Sequence, residues 1–127
     1  MIAKMSRSKK GIESIISQAM ARFFKEQISE RPEVVITQVV GDTIIVRLKG
    51  VLPPAERHLA KDKEGGGKLI EELRVKLIER AKPLLEVMIR NLTGAEVVDL
   101  YSSFNAETGE RIEIFTLNKD LEKTRQA

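Results

Sequence analysis

The sequence has no cysteine, no tryptophan, one histidine and one tyrosine in 127 residues. The absence of cysteine excludes disulfides, thiolate nucleophiles, iron–sulfur clusters and Cys-ligated zinc, and suits a reducing cytosol. A single histidine, His58, leaves little with which to hold a transition metal. Neither a metal nor a cofactor is expected. Long apolar runs are also missing. The basic start, Met1 to Lys10, leads into positions interrupted by Glu13, Ser14, Ser17 and Gln18, which is neither a signal-peptide core nor a membrane span. The expected location is the cytoplasm, with any membrane association peripheral and without insertion.

A broad surface of one charge is lacking too. The net charge of +3 divides into +4 over residues 1–10, zero over 11–50, +2 over 51–94 and −3 over 95–127. Phosphate backbones are gripped by extended basic faces. Here the excess sits in a short arm, residues 1–10, read as a flexible solubilising tail.

What is present is periodicity. Ile12, Ile15, Ile16, Ala19, Phe23, Phe24 and Ile28 recur at helical spacing, which predicts one amphipathic helix over residues 11–30 with Ser8 as N-cap and Arg31-Pro32 as its stop. Val34–Val40 and Thr43–Leu48 are rich in β-branched residues around Gly41-Asp42 and predict a tight hairpin. After Gly50, Pro53-Pro54 opens a short helix carrying Glu56 and His58. Three glycines then lead into a second long helix, Leu69 to Leu92, with Leu73, Leu77, Leu84, Met88 and Leu92 as its stripe and Ile70, Ala81, Leu85 and Ile89 widening it. Pro83 predicts a kink or restart near Lys82, and Gly94 a C-cap. Glu96–Phe104 and Arg111–Leu117 predict a second hairpin, and the polar chain from Asn118 is expected to fray.

The order is thus helix, hairpin, short helix, helix, hairpin. The predicted fold is α+β: tandem helix–hairpin units forming a four-stranded, mainly antiparallel sheet with both long helices on one face. One domain spans 11–122, with pseudo-repeat halves 11–52 and 68–117, and residues 123–127 form a frayed end.

The chemistry is sparse. Gly65-Gly66-Gly67-Lys68 before a helix suggests a phosphate loop, but Asp62 stands where that motif needs glycine and Leu69 where it needs Ser or Thr. His58 lies between Arg57 and Leu59 without a patterned acid or nucleophile, and Glu71-Glu72 suit a first helical turn. No catalytic set is assigned. The best surface patch pairs Tyr101 with Arg47 and Lys49 on the less buried side of the sheet. The interaction candidates are Arg47, Lys49, Glu56, His58, Tyr101 and Ser103.

"VRLKGVLPPAERHLA", the helical "AKPLLE" over Ala81–Glu86 and the ending "TGERIEIFTLNKDLE" together resemble the MpsC family of small bacterial domains, from about Gly11 to Glu122. Tyr101, Ser103 and the glycine triplet depart from that family's pattern. The family is named for a component of a cation-translocating, membrane-potential-generating system. The resemblance implies a non-catalytic soluble accessory or binding domain, with a membrane transport complex as partner. A homodimer is also expected, through a sheet edge or the open sheet face. The alternative is a nucleic-acid-binding module using the basic N-terminal arm and the Arg47/Lys49/Tyr101 face.

Overall fold

The computed structural model describes residues 8–122, so most of the expected basic arm and the whole of the 123–127 tail lie outside the described residues. Ser8, extended, accepts the Gly11 N–H at 2.9 Å and starts helix α1, Lys9–Phe23. The expected tail through Lys10 therefore gives way to helix at Lys9. The helix does not continue unchanged to Glu30 as expected. A π-helical turn, Phe24–Ile28, follows and ends at Ser29 in the left-handed conformation (φ 61°). The wider turn lets the adjacent Phe23 and Phe24 both enter the core, edge to face at 5.7 Å, which ordinary helical spacing makes difficult.

Strands β1, Val34–Val40, and β2, Thr43–Lys49, are joined by the two-residue Gly41-Asp42 turn, where Gly41 takes φ 61°. Pro53-Pro54 opens α2, Pro54–Ala60. Helix α3, Gly66–Thr93, begins three residues before the expected Leu69. The glycines are thus part of a packed corner: a Cβ on Gly66 would collide with the Leu59 carbonyl oxygen, so only glycine lets α2 and α3 meet so closely. The chain runs on helically through Pro83 to Gly94, whose N–H reaches the Arg90 carbonyl at 2.7 Å. No restart occurs near Lys82. Pro83 and Glu79 are both exposed, so the backbone bond that proline forbids is lost on the wet side.

The buried stripe of α3 also differs from expectation. Ile70, Arg74, Ile78, Ala81, Leu85 and Ile89 face inward, whereas Leu73 and Leu84 are 50% and 55% exposed. The residues expected to widen the stripe are its centre, and Arg74 completes their spacing of four and three.

Strands β3, Val97–Asn105, and β4, Glu110–Leu117, complete a four-stranded antiparallel sheet in the order β1-β2-β4-β3. One face buries Thr37 and Val39, Ile44, Val46 and Leu48, Phe104, and Arg111, Glu113, Phe115 and Leu117. Ser17 of α1 meets this face through a 2.7 Å hydroxyl contact with Thr37, and Arg74 of α3 meets it at Arg111 through their shared carboxylate, Glu30. The expected fraying from Asn118 is absent as far as Glu122. Leu121 is buried and donates its N–H to the Gly41 carbonyl at 3.0 Å, while Glu122 accepts from Gly41 and pairs with Lys9.

Candidate functional site

Two groups of side chains are set apart by the fold, one inside it and one on the uncovered sheet face. The inner group begins at Glu30, which the π turn and Ser29 carry into the core. Arg111 grips Glu30 with two parallel bonds, Nε to Oε1 at 3.0 Å and Nη2 to Oε2 at 2.7 Å. Arg74 of α3 donates to the same carboxylate at 3.0 Å and, through its other nitrogen, to Glu56 of α2. On β4, Arg111 also reaches Glu113 at 3.3 Å, and Glu113 accepts from the Ser102 hydroxyl at 2.6 Å. Charges therefore alternate from α2 to the edge strand β3: Glu56, Arg74, Glu30, Arg111, Glu113.

The Arg111 guanidinium lies between two aromatic rings, 5.2 Å from the centre of Phe24 and 5.3 Å from that of Phe104. Burial opposes its charge, but the hydrogen bonds and attraction of Glu30, with a contribution from Glu113, hold its pKa above the ordinary value. At Glu113 the balance falls the other way. Loss of water raises its pKa to about 7 despite the Ser102 hydrogen bond and the pull of Arg111. Glu113 Oε1 and Arg74 Nε are buried without a hydrogen-bond partner among the described residues.

The outer group lies on the opposite face of the sheet. Cross-strand register places Ile36, Arg47, Ile112 and Ser103 in one row, and Gln38, Ile45, Ile114 and Tyr101 in the next. Tyr101 is 63% exposed. Arg47, Tyr101 and Ser103 are thus brought together, and Lys49 stands two residues along β2 opposite Val34. Arg47 gives its Nε to Glu110 at 2.8 Å, which offsets the positive charge this face would offer to a phosphate backbone. Glu56 and His58 do not join this group. Glu56 turns toward Arg74, and His58 is exposed on α2.

Glu30, Arg74, Arg111 and Glu113 escape a reading of the sequence because each is charged in a segment whose apolar neighbours claim attention. In "ERIEIFTL" Ile112 and Ile114 are the most apolar alternating pair, yet these sit on the open face. The available signal is parity: Arg111 and Glu113 share it with Phe115 and Leu117, and Arg74 falls four residues from both Ile70 and Ile78.

A cavity of about 350 Å³ lies where α2 meets the β3–β4 loop, between Arg57 and Lys61 on one side and Glu33 and Glu107 on the other. The loop's N–H groups are already taken, that of Ala106 by the Glu71 carboxylate of α3 at 3.2 Å, those of Glu107 and Thr108 by the Asn105 side chain and that of Gly109 by the Asn105 carbonyl. Among the described residues, no cluster of acids and histidine is placed to hold a metal ion, and no helix is long and apolar enough to cross a membrane.

A family model described as "Na+-translocating membrane potential-generating system (MpsC)" matches residues 8–119. The uncharacterized protein YbcI of Bacillus subtilis (strain 168) is 37% identical over 119 residues, covering 94% of this chain and 95% of that protein. No solved structure matches significantly.

Proposed function

This chain belongs to the MpsC family, and from that premise we propose that it is a non-catalytic accessory domain docking on a cation-translocating membrane complex from the cytoplasmic side. The carrying observation is the uncovered sheet face, where Tyr101 stands beside Ile114 and Ile45 and next to the Ile36–Arg47–Ile112 row. Aromatic and arginine side chains over an apolar floor are what protein interfaces favour. The chain's unusual charges support the same reading, since they are consumed by one another in the core, where they fix the positions of α2, α3 and the sheet. We read residues 11–122 as a single domain whose halves, 11–52 and 68–117, are two copies of one helix–hairpin unit pressed into a shared core.

The test is a photo-crosslinking amino acid at Tyr101, activated in native membranes, with Tyr101→Ala/Arg47→Ala protein as a competitor that no longer binds. The expected adduct is a multi-span membrane protein, displaced by wild-type chain and not by the competitor. Adducts with soluble proteins only would sink the proposal. Steeply salt-dependent binding to nucleic acid, lost with residues 1–10, would replace it.

A further inference from the structure

We propose that β1 is a self-pairing edge, through which two copies of this chain join into one continuous eight-stranded antiparallel sheet. Self-pairing at β1 is independent of any partner on the open face, because it uses the backbone of one strand.

The two edges of the sheet are treated very differently. Strand β3 carries the protection expected of an edge that must stay alone: an irregularity between Val97 and Asp99, an aspartate that folds back onto the Leu100 N–H at 2.9 Å, and polar Ser102 and Ser103. Strand β1, "VVITQVV", has no charge, no proline and no register shift, and every residue but Gln38 is β-branched. Val34, Ile36 and Val40 are exposed along it, Ile36 at 38%. Such an edge is a template for another strand.

Hydrogen-bond parity then selects the register. A two-residue hairpin makes Val40 and Thr43 a hydrogen-bonded pair, so Gln38, Ile36 and Val34 also bond to β2, while Val39, Thr37 and Val35 point their backbone groups outward. The Val39 N–H is already taken by the Glu13 carboxylate of α1 at 2.8 Å. Among the described residues, the outward groups of Val35 and Thr37 remain. They can satisfy one another only if the two-fold axis passes at Ile36, so that Val35 of each copy faces Thr37 of the other, Ile36 faces Ile36 and Val34 faces Gln38. This placement sets no like charges opposite each other within the paired strands. On the covered side, α1 of each copy approaches the axis near Ser17. The residues flanking it at helical spacing, Ser14 and Ala21, are small and leave room.

The absence of native cysteine makes the test clean. The full chain is expected to sediment as a dimer at micromolar concentration, and Ile36→Lys, which sets two ammonium groups face to face, to weaken self-association at least about tenfold with an unchanged circular dichroism spectrum. Under mild oxidation, Ile36→Cys is expected to form a disulfide-linked dimer. Val34→Cys and Gln38→Cys should crosslink efficiently only when mixed, and Val40→Cys not at all. A monomeric wild-type chain overturns the proposal. So does a dimer that survives Ile36→Lys, or crosslinking that is no better at Ile36 than at Val40.

Discussion

At Glu113 two opposed effects meet on one carboxylate: burial favours the neutral acid, while Ser102 and Arg111 favour the anion. Burial prevails, and the folded pKa of about 7 lies above the ordinary 4.5. Between these values the unfolded chain has released its proton while the folded chain retains it, so this group makes the fold less stable as pH rises, with the loss complete above about pH 7. Chemical denaturation at pH 5 and pH 8 is expected to show wild type losing about 2–3 kcal/mol more than Glu113→Gln, which keeps the size and loses the titration. Equal losses would show that the side chain is solvated. Arg111 is the counterpart. Removing one partner of a buried ionic group typically costs about 3–5 kcal/mol, because the remaining charges are left uncompensated. That asymmetry, rather than any large net gain, is why Glu30, Arg74 and Arg111 hold one arrangement so tightly.

At the scale of elements, α3 shows how an amphipathic helix can be legible while its orientation is not. Apolar residues occur on both sides of it, and the series through Leu73 and Leu84 reads as well as that through Ile70 and Ile78. The second is buried because Arg74, which belongs to it, finds Glu30 and Glu56. Ile78→Ala is accordingly expected to destabilise by about 2–5 kcal/mol and Leu73→Ala or Leu84→Ala by no more than about 0.5 kcal/mol, measured by urea denaturation. The reverse ranking would restore the stripe expected from hydrophobicity. The first helix forms where the apolar spacing from Ile12 to Phe23 predicts it. Its last turn departs because Phe23 and Phe24 are adjacent and both must be buried, a demand met by a π turn and a left-handed Ser29.

For the molecule as a whole, the sheet order places β2 against β4, so the first hairpin is completed by the second rather than by anything near it in sequence. Glu30 from the first half neutralises Arg111 and Arg74 from the second, and neither half carries a balanced core alone. Chain cut between Lys63 and Glu64 is therefore expected to yield two fragments with little circular dichroism signal apart and a native-like spectrum when mixed. Native-like structure in either fragment alone would contradict the shared core. The sequence by itself determined the local elements, since Gly41-Asp42, Ser8, Gly94 and the alternation of β-branched residues act over a few residues through backbone sterics and hydrogen bonding. It also determined the absence of thiol chemistry and of long apolar spans within it. Tertiary structure alone decided which face of α3 and of β4 is buried, because a charged side chain enters a core only when opposite charges from distant segments meet it there. Glu30, the carboxylate that makes Arg74 and Arg111 residents of the interior, is 44 and 81 residues away from them, and the Ser102 hydroxyl that donates to Glu113 lies 11 residues away on another strand; no local pattern records these partners.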